Sequence, residues 1–273
     1  MSQPDRLIGI ALGEVGYLEK SAEAWKKYGK DCLYPKTDYA GSDNYTKYGY
    51  ELHQVSPGVM DFPAAWCDTF VDWCFWMLCN RDPEKAQEML CGRFDDYTKN
   101  SVNLYIKAMR FFKTGQRSDQ IFFSRNQLVS GVYHTGIVEK IEGGVVHTIE
   151  GNTSDAKGVI PNGGAVCRKS YLVTDPKIFG YGRPKFENTW HWLKVDGIWY
   201  YQDSDGRNSY EWKLISETTD PNNKHWYYFN SIGQMQTGLH EINGNLYYLA
   251  ETGALEGALC ITDDSGALAP WFV

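Results

Sequence analysis

The sequence predicts an α+β domain followed by an all-β domain of repeats. Three observations predict it. Apolar side chains recur at helical spacing up to about residue 113. β-branched and aromatic runs replace them from about 120 to 173. Beyond residue 186 an aromatic unit recurs in three imperfect copies. Helices first and a meander of strands afterwards is the order of an α+β domain. A length of 273 residues leaves room for two domains, and the composition divides them as 1–185 and 186–273.

Leu7, Ile10, Ala11, Val15 and Leu18 predict a helix over 5–19, with Pro4 in its first turn. Residues 30–60, including NYTKYG at 44–49, are rich in Tyr, Gly, Asp and Asn and read as a long loop. From AAWCDTFVDWCFW (64–76) on to Cys79, Phe70, Val71, Cys74, Phe75 and Leu78 form one apolar stripe of a helix over 64–79. Asp61 and Pro63 stand before it as a start signal. Two further helices are predicted at 83–91 and 100–113. Strands follow at QIFFS (120–124), VYHTGIVEKI (132–141) and VVHTIEGN (145–152), the last two joined at Gly143-Gly144. RKSYLV (168–173) predicts one more. In the tail, Trp199-Tyr200-Tyr201, Trp226-Tyr227-Tyr228 and Leu246-Tyr247-Tyr248 mark the copies. Each copy predicts a small aromatic hairpin that cannot bury its rings alone and must stack on its neighbours.

Charge excludes some partners. The net charge is −7, and residues 187–273 hold 4 of the 27 Lys and Arg but 12 of the 34 Asp and Glu. An acidic tail argues against nucleic acid and anionic membrane. No apolar run is long enough for a membrane helix. The first residues, MSQPDRLIGIALGEVGYLEK, lack the basic and then uninterrupted apolar pattern of a signal peptide, so synthesis in a cytoplasm is expected. The seven cysteines are irregularly spaced and form no C-x-x-C pair. Neither a disulfide framework nor a structural zinc site is expected.

Cys67 stands where the 64–79 helix begins. Free cysteine on an apolar helix is usually a small hydrophobe, the reading for Cys74, Cys79 and Cys91. At a helix N-terminus, however, unpaired N–H groups and the helix dipole favour a thiolate. The same N–H groups can stabilise an oxyanion. A cysteine nucleophile needs a histidine and a group that orients it. His134 and His147 lie on the two strands of one predicted hairpin. A two-residue turn pairs Glu142 with Val145 and puts both histidines on one face, with Glu150 on the other. A three-residue turn pairs Ile141 with Val145 and gathers His134, Glu150 and Asn152 instead, turning His147 away. The residues leave both registers open; the chemistry needs the second.

WCDTFVDW, then YHTGIV, then IEGN, in that order, resembles the CHAP family of papain-like cysteine amidohydrolases and peptidases, which cut peptidoglycan. SDQIFF at 118–123 is similar to the family's Gly-Asp-x-x-Phe-Phe strand, with Ser118 in place of Gly, and GYGRP at 180–184 fits its close. The resemblance covers roughly residues 5–185. It implies Cys67 as nucleophile, His134 as general base, Glu150 as the group that orients and charge-balances the imidazole, and Asn152 as its assistant. His147 is left as a strand histidine. Some members bind calcium through an acidic loop before the cysteine. Here Asp38, Asp43 and Asp61 are scattered, so no metal and no cofactor is expected.

The tail resembles choline-binding or glucan-binding cell-wall repeats, in which Trp-Tyr-Tyr hairpins precede Gly-x-Met-x-Thr-Gly, here GQMQTG at 233–238. In the choline-binding type, aromatic rings cage a quaternary ammonium through cation–π attraction. Trp192, Trp199, Trp212, Trp226, Tyr228 and Tyr248 are the candidates. Together the resemblances imply a peptidoglycan hydrolase of the phage endolysin kind, held on a Gram-positive wall by its tail and favoured as an N-acetylmuramoyl-L-alanine amidase. An endopeptidase of the same fold is the alternative within the class. A catalytically inert wall-binding protein, or a papain-like protease acting on proteins, are the alternatives outside it.

Overall fold

Ser2 caps α1 (Gln3–Glu14) by accepting the Asp5 N–H, and Leu7, Ile8 and Ala11 turn into the core. The helix ends earlier than its apolar spacing predicts. Gly16 takes a φ of 88°, and Leu18 bridges to Ala165 of the sheet. The computed structural model describes residues 2–154, 164–186, 190–203, 208–217, 223–262 and 268–270. It divides into two units, Met1–Phe186 and Glu187–Val273.

The stretch read as one long loop holds a helix. After α2 (Ala22–Tyr28), α3 runs over Lys47–Val55. Thr46 caps α3 by accepting the Gly49 N–H, and Tyr48 and Leu52, four residues apart, are buried. The Tyr- and Gly-rich composition concealed that pattern. The part that is truly loop is organised by a cation of the chain itself. Lys20 is fully buried, and its ammonium donates to the carbonyls of Pro35, Lys36 and Asp38 at 2.5, 3.1 and 2.9 Å.

Helix α4 (Cys67–Leu78) is buried on all sides except at Met77, so it is the central pillar of the unit. Asp61 and Pro63 do not start it. Its N-cap is Trp66, which gives no side-chain cap, and the Asp61 N–H is bound instead by Asp96. Helices α5 (Pro83–Met89) and α6 (Thr98–Lys107) follow. Strands β1 (Phe111–Phe112), β2 (Gln120–Ser124), β3 (Val132–Glu142), β4 (Val145–Thr153), β5 (Ala165–Leu172) and β6 (Ile178–Gly182) form one antiparallel sheet in the order β1-β6-β2-β3-β4-β5. Helices packed on an antiparallel sheet make the first unit α+β.

The two stretches flanking the sheet's centre are tied to each other. Asp119, almost fully buried, takes a two-point bond from the Arg183 guanidinium at 3.1 and 3.0 Å. Ser118 has a φ of 69°, the left-handed region that suits the glycine of the motif it resembles, and its hydroxyl donates to the Pro4 carbonyl. SDQIFF and GYGRP therefore hold the sheet together.

The second unit consists of hairpins. β7 (His191–Val195) and β8 (Ile198–Gln202) pair across an Asp196-Gly197 turn. β9 (Glu211–Ser216) pairs with β10 (Lys224–Phe229). β11 (Gly238–Ile242), β12 (Asn245–Leu249), β13 (Leu259–Thr262) and β14 (Leu268–Pro270) form a four-stranded sheet. Ile215, Tyr227, Phe229, Met235 and Ala258 form a shared core, with Trp192, Trp199 and Tyr201 packed against it. Among the described residues no helix is long and apolar enough to cross a membrane.

Candidate functional site

Two features of β3 and β4 aim the site. The Gly143-Gly144 turn is the two-residue kind, with Glu142 opposite Val145. A bulge between Val138 and Lys140 then shifts the register, so that Val138 pairs with Thr148 and Ile137 with Ile149. Beyond the bulge the strands follow the register that a three-residue turn would have set. The two registers left open by the sequence thus coexist, one at each end of the hairpin. Glu139, at the bulge, is held by a two-point bond from Arg168 at 2.8 and 2.6 Å. His147, on the turn side of the bulge, pairs with Ser170 instead, at 2.8 Å.

At the far end His134 meets Glu150, with Nε2 2.9 Å from Oε2. Glu150 is completely buried and has two more donors, the Thr148 hydroxyl at 2.5 Å and the Tyr171 hydroxyl at 3.2 Å. A buried carboxylate so surrounded stays where it is put. Tyr171 also packs on Phe123, and Phe123 on the His134 ring, with centroids 4.9 and 5.8 Å apart. Gly136 makes room for this. A Cβ there would lie 2.5 Å from Cγ of Glu150. Gly136→Ala is therefore expected to displace the carboxylate and break the His134–Glu150 bond, read as a fall in the imidazole pKa by NMR titration, with thermal melting as the control for folding. Asn152 stands on the next irregularity of β4, between Glu150 and Thr153, with a φ of 51°.

Cys67 comes from the other side. Helix α4 reaches β4 closely because Gly151 has no side chain: a Cβ there would lie 2.6 Å from Cβ of Phe70. Cys67 is 8 % exposed at the first position of α4, where the backbone N–H groups lack intrahelical partners. Burial pushes the His134 pKa down, but hydrogen bonding and charge from Cys67 and Glu150 push it up by more, to about 10. The imidazole is thus held as a cation between a sulfur and a carboxylate. Cys67, His134 and Glu150 come together. Tyr171 and Thr148, which complete the shell of Glu150, were not read from the sequence. Only the alternation of β4 and β5 could have signalled them.

Under Cys67 lie buried acids. Asp68 accepts from Ser101 and from Gln120 at 2.5 and 2.8 Å, and burial pushes its pKa up. Asp72, one turn on, accepts the Asp95 N–H at 2.9 Å and is pushed up by burial and by Asp68. Among the described residues no group of three or more His, Cys, Asp or Glu could hold a metal ion. Asp38, Asp43 and Asp61 do not converge. Asp38 offers its carbonyl to Lys20, Asp43 accepts the Ala22 N–H, and Asp61 donates its own N–H to Asp96.

In the second unit the candidate rings fall into separate groups. Trp192 and Trp199 meet Tyr227 and Met235 around a cleft of about 600 Å³, with Glu217 and Glu256 on its wall. Trp192 stands edge-on to Tyr227 at 4.9 Å and to Trp199 at 6.1 Å. Tyr228 does not belong to this cleft. The period of two along β10 turns Tyr227 and Phe229 inward and sends Tyr228 to the other face, where it packs on Trp212 at 5.2 Å. Trp212 meets Tyr247 at 4.9 Å and 67°, close to the 4.9 Å and 70° of Trp192 and Tyr227. The pair is the same corner one repeat later. Trp226 lies opposite Leu214, and Tyr248 lies opposite Leu239 and Cys260, so neither lines the cleft. Tyr227 and Met235 were missed, although the middle ring of each copy and the Met of GQMQTG were there to be read.

Residues 192–207 and 219–235 match the cell wall binding repeat of the choline-binding type. The second unit carries cell wall binding repeats. Among solved structures, a choline binding domain from Streptococcus pneumoniae is 28 % identical, over 28 % of this chain and 98 % of that one, with a TM-score of 0.22. A truncated alternansucrase from Leuconostoc mesenteroides is 23 % identical over 32 % of this chain but only 8 % of its own, with a TM-score of 0.20. The protein Ly7917 is 14 % identical over 86 % of this chain and 92 % of its own, with a TM-score of 0.35. No curated protein matches the chain by sequence.

Proposed function

We propose that the protein is a cell-wall hydrolase. Its first unit would be a CHAP-type, papain-like cysteine amidohydrolase, and its second would hold choline-bearing polymer of the wall. The observation that carries the catalytic reading is the line Cys67–His134–Glu150, with the sulfur at a helix N-terminus and the imidazolium between it and a buried carboxylate. The Cys67 thiolate attacks an amide carbonyl carbon, and N–H groups of the first turn of α4 receive the oxyanion. The C–N bond breaks as His134 gives its proton to the leaving nitrogen, which leaves a thioester on Cys67. His134, now neutral, takes a proton from water; the hydroxide attacks the thioester and releases acid and thiolate. Glu150 and its donors keep the ring in line through both steps. The bond favoured is the one between N-acetylmuramic acid and L-alanine, with bonds inside the stem or cross-bridge as the alternative.

The test is mass spectrometry of muropeptides from purified Gram-positive walls, with Cys67→Ala alongside. New L-alanine amino termini, absent with the mutant, support an amidase. New termini within the peptide, with muramic acid still attached, assign an endopeptidase. Equal release by the mutant overturns the catalytic reading.

A second reading has its own support in the repeat match at 192–207 and 219–235: a protein that only adheres to the wall. It requires that Cys67 react with alkylating agents no faster than a free thiol.

A further inference from the structure

We infer that the Thr98 hydroxyl is a third group on the reacting sulfur, donating to the Cys67 thiolate and holding it for attack. The inference rests on the reading of Cys67 as nucleophile. Thr98 Oγ1 lies 3.6 Å from Cys67 Sγ, and Thr98 is buried. A thiol and a hydroxyl can each donate to the other. Once the sulfur is ionised only the hydroxyl carries a proton to share, so the bond favours the thiolate. A threonine at a helix start commonly spends its hydroxyl on its own helix. Here the N-cap of α6 is Tyr97, with no side-chain cap, while the Tyr97 N–H is taken from outside by Asp95 at 3.0 Å.

The position of Thr98 is set by more than its own contact. Three residues of α4 each hold one residue of the segment 95–101. Asp72 accepts the Asp95 N–H, Cys67 meets Thr98, and Asp68 accepts the Ser101 hydroxyl. Asp95 also takes two bonds from the Asn100 side chain, at 3.0 and 3.1 Å. Such a laced segment places one hydroxyl at one sulfur without freedom to wander, as a preorganised donor must be placed. This lacing accounts for the buried acids of α4, since Asp68 and Asp72 fasten the start of α6 to the start of α4. The sequence separation of 31 residues between Cys67 and Thr98 is why no local motif announces the pair.

The test uses the full chain, with Thr98→Val, which keeps the shape and removes the hydroxyl, and Thr98→Ser, which restores it. The titratable groups around the pair are His134 from β3, Glu150 from β4, Asp68 from α4 and Asp95 from the segment before α6; neither substitution alters them. The first readout is the rate of iodoacetamide alkylation at Cys67 against pH, resolved by peptide mass spectrometry. Thr98→Val is expected to move the acid limb of that profile up by about one pH unit. It is also expected to lower kcat for wall cleavage by about ten- to a hundredfold with KM little changed, and Thr98→Ser to recover most of both. An unchanged alkylation profile in Thr98→Val, or a Thr98→Ser that behaves like Thr98→Val, overturns the inference. Alkylation needs no wall. A shifted profile in a protein that releases no muropeptide therefore supports the Thr98–Cys67 bond and sinks only the wall substrate. A wild-type Cys67 no more reactive than a free thiol overturns both.

Discussion

His134→Ala is expected to lower kcat for amide cleavage by about 10²–10⁴-fold, with the fold retained. In the mechanism proposed above the imidazole does two things, protonating the leaving nitrogen and then activating water, and no other described residue is placed beside Cys67 for both. The pH dependence gives the sharper form of the prediction. With a pKa of about 10, against 6.5 for the free side chain, His134 stays protonated through neutral pH. Activity should therefore fall on the alkaline side near pH 10, not near 6.5. Glu150→Gln removes one of the charges that raise the imidazole, so the alkaline limb should move to lower pH. The ion pair also contributes to folding. Because the folded pKa is raised, that contribution is complete below about pH 6.5 and fades as pH rises through about 10. Stopped-flow or steady-state rates between pH 5 and about 11 check the profile. An alkaline limb that stays near 6.5 in the wild type would show that the imidazole is not held as a cation.

Trp192→Ala is expected to cost the second unit about 3 kcal/mol and to abolish retention on immobilised choline. The indole touches Trp199, Tyr201, Tyr227 and Phe229, with centroids between 4.9 and 6.1 Å. It is at once a wall of the cleft and a brace between hairpins, so its removal opens the cage and loosens the stack. For a unit of this size the loss should lower the melting temperature by about 10 °C or more. Ile232→Ala, at a side chain 64 % exposed, should leave melting and retention unchanged. Calorimetry of the full chain and elution from a choline matrix measure the two effects. Retention of Trp192→Ala at wild-type strength would mean that the Trp192–Tyr227 cleft is not the ligand site.

Much of the first unit was legible because its signals are short-range. The apolar stripe of α4, the β-branched and aromatic runs of β2 to β4 and the glycine turn each sit within a dozen residues, which is the range over which local pattern speaks. Helix α3 was not legible, because a Tyr- and Gly-rich stretch looks like loop until the burial of Tyr48 and Leu52 is known. The start of α4 was misread for a related reason: Asp61 has the right chemistry for a cap, but the helix begins only at Cys67, behind Trp66, and the chain at Asp61 is tied to Asp96, 35 residues away. In the tail, the aromatic copies stood out from composition alone. Which ring of each copy enters the cleft did not, since the choice between Tyr227 and Tyr228 is one step of a two-residue period.

What the sequence determined by itself is the order of the parts: a cysteine at a helix start, a histidine opening a strand, a glutamate on the next strand, then stacked aromatic hairpins. Those are properties of residues and their near neighbours. Tertiary structure decided how the parts meet. The bulge between Val138 and Lys140 turns His134 and Glu150 onto one face, where the two-residue turn at Gly143-Gly144 alone would have set them on opposite faces. Tyr171 on Glu150 and Thr98 on Cys67 are separated by 21 and 31 residues, and Gly136 and Gly151 leave the room that Glu150 and Phe70 of α4 fill. Side-chain partners at that separation are chosen by packing, which acts on volumes and polar groups brought together from the whole chain and so leaves no pattern in any one stretch of it.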